Sequence, residues 1–222
     1  MSLLDLVHGR YVHTRRVRVL CDHLAAVLPE GARVLDVGCG DGLVARRVAE
    51  RRPDVEIHGI DVLVREHTHI PVAPFDGARI PFPDRSWDVV MFVDVLHHTD
   101  DPMVLLREAA RAARRSVVIK DHLCEGALDR AVLRLMDYVG NARHGVTLPF
   151  NYWGRRQWER AFAELGVSIV SWRQHLGLYP QPASLLFDGS LHFVARLDVQ
   201  HSPAPHPASG SERAPDETWR PA

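Results

Sequence analysis

The sequence is poor in cysteine, in lysine and in long apolar runs, and each shortage closes off a class of protein. Three cysteines, Cys21, Cys39 and Cys124, are odd in number and widely spaced along 222 residues. That excludes a disulfide framework and a cysteine-rich zinc site, and it points to a reducing compartment, the cytoplasm. No apolar stretch approaches the roughly 20 residues needed to span a bilayer. The opening Met1-Ser2-Leu3-Leu4-Asp5 has an acid where a signal peptide carries basic residues, so a cytoplasmic protein with no membrane span is expected. Lys120 is the only lysine. Arginine supplies the rest of 27 basic residues, against 28 acidic ones, for a formal charge of -1. This balance lacks the basic excess of proteins that follow phosphate backbones, so nucleic acid is not expected as a ligand. Pairs such as Arg46-Arg47 and Arg155-Arg156 read as solvated helix faces.

What is present describes one globular domain, 46% apolar and 25% charged, over residues 1–200. Its first part, about residues 1–29, is a helical cap: Val17, Leu20, Leu24, Val27 and Leu28 recur at helical spacing before Pro29-Glu30-Gly31. From His201 the chain holds five prolines in 22 residues, mixed with Ser, Ala and Gly, a composition that packs no core, so 201–222 is expected to be a disordered tail. Between cap and tail, strand-forming and helical runs alternate. Arg33–Val37, Val55–Ile60, Trp87–Val93 and Ser116–Lys120 are short apolar strands of the kind covered on both faces. A helix starting at Pro102, capped by Asp100 or Asp101, has Leu105, Leu106 and Ala109 as its buried stripe, with Arg114-Arg115 at its negative end. Leu128 to Val139 and Arg155 to Leu165 are further helices, the second closing at Gly166. Val167–Trp172 and Leu191–Leu197 suit an antiparallel edge. The expected fold is α/β, a doubly wound and mostly parallel sheet, with any ligand at the carboxyl ends of the strands.

Two features gather at that edge. In Asp36-Val37-Gly38-Cys39-Gly40-Asp41-Gly42 the glycines permit a tight strand-to-helix turn and let a ligand approach the backbone, and the helix start offers NH groups to an anion. Asp61 ends the next strand, where a carboxylate accepts both hydroxyls of a ribose. Together they imply a nucleoside-containing ligand. Leu43 stands where a dinucleotide fingerprint has its third glycine, and no Walker-type GK[ST] exists.

The stretches VLDVGCGDG at 34–42, GID at 59–61, FDG at 75–77 and IPFPDRSWDVVMFVDVLHHTDDP at 80–102 resemble the class I S-adenosylmethionine-dependent methyltransferases, and within them the small-molecule enzymes of the ubiquinone and menaquinone type. The resemblance implies a seven-stranded Rossmann-like sheet with an antiparallel last strand, S-adenosyl-L-methionine as cofactor, and methyl transfer to a small-molecule acceptor. It implies that Gly38, Gly40 and Gly42 surround the methionine portion, that Asp36 holds its amino group, that Asp61 binds the ribose and that Asp76 approaches the adenine amine. Asp94 joins this set, and Arg10 on the cap faces the cofactor's carboxylate. One departure stands out. Only Val62 to His69 separate the Asp61 strand from the one expected to line the adenine, fewer than the roughly 10 to 12 residues of a helical crossover. Asp76 in Asp76-Gly77 also reads as an ordinary turn aspartate.

A sulfonium methyl is already activated, so alignment and exclusion of water are the main catalytic devices, with a base needed only where the nucleophile must lose a proton. His97, His98 and His122 are the candidate bases. The Asp94-x-x-His97-His98 spacing is similar to the acidic and histidine cluster of ubiquinone-pathway O-methyltransferases, which can use a divalent metal, but those have glutamates where Asp94 and His97 stand, and no required metal is expected. Asp121-His122 after the Lys120 strand, and the region Asp137-Tyr138 through Asn141, then Phe150-Asn151-Tyr152-Trp153 and Trp158, combine aromatics with few polar groups, the composition of a pocket for a flat or apolar acceptor and equally of ordinary core and surface aromatics. Two rival classes remain: a nicotinamide-dependent oxidoreductase, against which the glycine spacing speaks, and a cofactor-binding scaffold without turnover.

Overall fold

Short strands that are apolar on both faces need helices above and below them, and the chain supplies these in alternation. In the computed structural model, which describes residues 3–141 and 149–199, the elements run α1 (Leu3–Val27), β1 (Arg33–Val37), α2 (Leu43–Arg51), β2 (Glu56–Asp61), β3 (Val72–Pro74), β4 (Trp87–Val93), α3 (Pro102–Ala112), β5 (Ala113–His122), α4 (Ala127–Asn141), α5 (Arg155–Leu165), β6 (Val167–Gln174), α6 (Ser184–Phe187) and β7 (His192–Val199). The expected tail from His201 lies outside the described residues, as does the side chain of Arg10. No described helix is long and apolar enough to cross a membrane.

The sheet has seven strands in the order β3-β2-β1-β4-β5-β7-β6. The first five are mutually parallel, and β7 runs antiparallel to both β5 and β6, inserted between them. The expected doubly wound sheet with an antiparallel last strand is therefore observed. Residues along each central strand face opposite sides in turn. Leu35, Val90, Phe92 and Ile119 pack in one core with Leu105, Leu106, Trp158 and Phe162 from α3 and α5. Val34, Val89, Met91 and Val118 pack in the other with Leu20, Leu24, Ala45 and Val48 from α1 and α2.

Two details differ from the sequence expectation. Arg114 and Arg115 do not end α3 but begin β5, because Ala113 already pairs with Trp87 across the sheet. Arg111 takes the last-turn position instead and reaches Glu108, Asp84 and the carbonyls of Ile80 and Phe82. The short strand β3, expected after His69 only through the resemblance, has bounds the sequence does not mark, since three residues ending in Pro74 carry no alternation to detect. Its parallel pairing with β2 is reached through bends and turns, with no helix between Val62 and His69, as the shortness of that segment requires. Elsewhere the local chemistry acts as expected: Asp101 caps α3 by accepting from the Met103 backbone NH at 2.9 Å, with Pro102 in the first turn, and Gly166 ends α5 in the left-handed region.

Trp158 settles the question of its own role. It is 2% exposed and packed against Phe162, Phe193 and Trp153, which makes it core and not pocket wall. Replacing it with Ala should cost about 3–5 kcal/mol in chemical denaturation. Leu185→Ala on α6, at a position 80% exposed, should change stability by less than about 0.5 kcal/mol.

Candidate active site

Parallel register decides which loops meet. Asp36 lies opposite Gly59 on one side and Met91 on the other, and Val93 lies opposite Lys120. The carboxyl ends of β1, β2, β4 and β5 therefore share one edge, carrying the glycine loop, Asp61, Asp94 and Asp121. All three predicted loop glycines have positive φ, at 73°, 61° and 76° for Gly38, Gly40 and Gly42. A Cβ on Gly38 would stand 2.7 Å from Val95, and one on Gly42 2.4 Å from Ile70, whereas the space over Gly40 is open. The loop is thus closed beneath and free above, which suits a ligand lying on its backbone.

Asp61 is tied to this loop. Its Oδ2 accepts the Gly40 NH and its Oδ1 the Leu63 NH, both at 2.8 Å. Each oxygen keeps a second lone pair for a hydroxyl donor. Asp36 is different. It is 2% exposed, and its Oδ1 has no hydrogen-bond partner. Burial, with the nearby Asp61 charge adding to it, pushes its carboxyl up to about 8. A buried carboxylate oxygen left unpaired beside an open glycine loop is a receptor for a cation. Asp76, by contrast, is exposed, and its Oδ1 accepts from the Ala78 and Arg79 NH groups. Those bonds account for it as a turn residue.

The ends of β4 and β5 carry a connected polar network. Asp94 has a positive φ of 57°, rare for a residue with a side chain. It is held there by Arg16 from α1 at 2.9 Å and by a short contact with Lys120 of β5. Burial works to raise the Asp94 carboxyl, but the Lys120 and Arg16 cations outweigh it and hold it well below the usual range. Beside this pair, Asp121 Oδ1 meets His97 Nδ1 at 2.6 Å, and Asp121 Oδ2 accepts the Leu96 NH. His122 Nδ1 is 3.3 Å from both His97 Nδ1 and Asp121 Oδ1. On the far side of His97, Asp137 from α4 lies 3.5 Å from Nε2 and accepts a short hydrogen bond from the Tyr152 hydroxyl. Asn151 fastens the segment bearing Tyr152 to the histidine turn: its NH donates to the His97 carbonyl, and its side chain to those of Thr99 and Asp100.

These surroundings separate the three candidate histidines. Burial alone would lower His97, but Asp121 and Asp137 on either side raise it to about 10, so at neutral pH it already carries its proton. Burial, the His97 charge and Lys120 lower His122, and its Nδ1 is committed within the network. His98 is half-buried. Burial and the adjacent His97 charge bring it down to about 4, and its Nδ1 has no partner. It is the neutral histidine with a free lone pair. The structure thus brings Asp36, the three glycines and Asp61 together at one end, and Asp94, His97, His98 and His122 at the other. Sequence reasoning missed Arg16 as a member of the site, and it placed Asp121 and Asp137 in the acceptor region by composition without their pairing to His97.

Since a buried acid with a raised pKa favours the folded state only while protonated, the cost of Asp36 is absent below about pH 4, grows as pH rises, and is complete above about pH 8. The ligand-free protein should therefore lose more melting temperature between pH 5 and 8.5 than the Asp36→Asn variant does. Parallel melting curves for the two proteins would show that the carboxyl ionises freely.

The family described as a methyltransferase domain matches residues 10–171. A 27-O-demethylrifamycin SV methyltransferase of Amycolatopsis mediterranei (strain S699) is 34% identical over 110 residues, 43% of this chain and 40% of that protein. A ubiquinone biosynthesis O-methyltransferase of Proteus mirabilis (strain HI4320) is 32% identical over 97 residues, 38% of each chain. The matched segment spans less than half the length of these curated relatives. Among solved structures, a SAM-dependent methyltransferase from Aquifex aeolicus has the same fold, with a TM-score of 0.57 at 17% identity over 84% of this chain and 93% of that one. The match runs from the cap through the glycine loop, the Asp61 strand and the histidine turn into β6, and so the chain belongs to the methyltransferase-domain family.

Proposed function

We propose that this protein transfers a methyl group from S-adenosyl-L-methionine to a small, flat or apolar acceptor in the cytoplasm. The observation that carries this reading is the unpartnered oxygen of buried Asp36 beside the open glycine loop, since the cofactor's amino group is a cation of the right kind to meet it. Gly38, Gly40 and Gly42 would hold the methionine portion, Asp61 the ribose hydroxyls through its remaining lone pairs, and Asp76 the adenine side through its second oxygen. Arg10 would face the carboxylate. Asp94 contributes by fixing the end of β4 through Arg16 and Lys120.

The cofactor supplies a methyl group on a sulfonium centre, already activated toward displacement. The protein's residues have the remaining tasks, which are to align the acceptor and exclude water. Asp121, His97, Asp137 and Tyr152 form a buried wall in which the His97 cation stands between two carboxylates and Tyr152 donates to one of them, contacts that hold the wall in place. Where the acceptor is a hydroxyl or phenol, His98 is the group that takes its proton, because His97 is already charged and His122 is committed. Two named relatives, one acting on a rifamycin and one in ubiquinone biosynthesis, support a small-molecule acceptor with apolar bulk.

Calorimetric titration with S-adenosylmethionine, S-adenosylhomocysteine and NAD tests the cofactor assignment. Both sulfur nucleosides should bind and NAD should not. Asp61→Ala should weaken nucleoside binding by tenfold or more, and Asp36→Asn should weaken S-adenosylmethionine likewise. Binding of NAD alone, or unchanged affinity in both variants, would overturn the reading.

A further inference from the structure

Arg46-Arg47, a solvated helix face by sequence, borders a groove in the structure. Between α1 and α2 lies a cavity of about 310 Å³, lined by Thr14, Val17 and Arg18 from one helix and Leu43, Arg47 and Arg51 from the other. That volume is at the lower end of the range, about 300–1,000 Å³, of small-molecule sites. Leu43, Arg47 and Arg51 are spaced by four residues and stand on one face of α2, as Thr14, Val17 and Arg18 do on α1. Val17 and Leu43 are half-buried and supply the apolar part of the lining. Arg16, two residues before Arg18, lies on the opposite face of α1 and reaches Asp94. The groove and the network at the end of β4 thus share a helix but no side chain.

The charges around the groove do not balance. Asp22 pairs with Arg51 Nε at 2.6 Å, and Glu50 is shared between Arg46 at 3.2 Å and Arg47 at 3.1 Å. Arg18 is exposed and has no carboxylate against it among the described residues. Arg18, Arg46, Arg47 and Arg51 therefore face only Asp22 and Glu50, on a chain whose formal charge is -1, so the positive excess is local to this face. Arg51 is fixed, because its other two nitrogens donate to the carbonyls of Arg47 and Arg18. Arg18 is free to turn toward a ligand, and the exposed pair that holds Arg47 is of small worth. An apolar lining with unmatched cations beside it fits a molecule made of the same two parts. We propose that the groove binds a small anionic amphiphile, its carboxylate or phosphate head on Arg18 and Arg47 and its short apolar chain against Val17 and Leu43. A guanidinium fork matches either head, and the Thr14 hydroxyl adds a donor. Nucleic-acid phosphates carry the charge but lack the apolar part. The site stands on α1 and α2 alone and does not depend on methyl transfer.

Calorimetric titration of the full-length protein with four probes tests both halves of the site. Decanoate or decyl phosphate should bind at one equivalent, the tighter of the two identifying the head. Decanol and inorganic phosphate, each with one half only, should bind at least about tenfold more weakly. Arg18→Gln and Arg47→Gln should each weaken the anionic probe by about tenfold, Arg18→Lys should keep most of the affinity, and Thr14→Trp, which fills the groove from an exposed position, should abolish binding. Arg107→Gln, the same charge change at an exposed position on α3, should leave it intact, as should saturation with S-adenosylhomocysteine. Circular dichroism verifies the folding of each variant. No binding of either anionic probe, decanol binding as tightly as they do, wild-type affinity in both arginine variants, or displacement of the probe by the nucleoside would overturn the proposal. A protein that binds decanoate through Arg18 but no sulfur nucleoside would lose the methyl-transfer reading and keep this one.

Discussion

A lysine buried entirely within a sheet is tolerable only if a carboxylate is set against it, and here the sole lysine and Asp94 make that contact across β4 and β5. The pair fixes more than two side chains. Asp94 is drawn into a left-handed backbone conformation at the point where β4 turns into the histidine segment, and Arg16 brings α1 onto the same carboxylate. Helical cap, central strand and neighbouring strand are thereby joined at one point. Removing either member would leave a charge in a place with little water, so the arrangement is all or nothing. The glycine loop lies on one side of it and the network around His97 on the other.

The two sides were legible in the sequence to different degrees, for a physical reason. The cofactor side is local. Gly38, Gly40 and Gly42 announce their own backbone conformations, Asp61 ends its strand, and Asp101 and Pro102 mark a helix start by their chemistry alone. The seven-stranded, mostly parallel sheet and its antiparallel last strand followed from alternation and from family resemblance, while the insertion of β7 between β5 and β6 came from the structure. The acceptor side is built from long-range pairs: Asp121 with His97, Asp137 with His97, Arg16 with Asp94. No spacing rule joins residues on different elements, so Asp137 read only as a polar group in an aromatic-rich region, with no partner assigned, and Arg16 as one of many arginines. The aromatic cluster misled in the same way, because composition cannot distinguish Trp158, turned into the core, from a pocket wall.

Charge at the histidine turn follows from what surrounds each ring. Two carboxylates stand against His97, and it is raised. The charge that results lies next to His98 and adds to burial in lowering it. Neighbouring residues of the same type thus end up on opposite sides of neutrality, which separates a fixed charge from an available lone pair within one turn of chain. The Asn151 bonds to the carbonyls of His97, Thr99 and Asp100 tie that turn to the segment carrying Tyr152.

The place of β7 in the sheet has a consequence for how the chain comes to be folded at all. Among the described residues β6 pairs with β7 alone, and β7 also pairs with β5, at registers such as Ser116 with Asp198. A strand emerging from the ribosome as β6 therefore has no partner waiting, and β5 keeps an open edge until the residues up to Val199 have been made. The parallel half can assemble while translation continues, but the sheet closes only when its last strand slides between two earlier ones. Lys120 lies on that waiting edge, opposite Val194, so the buried charge that organises the site becomes fully enclosed only once β7 is in place.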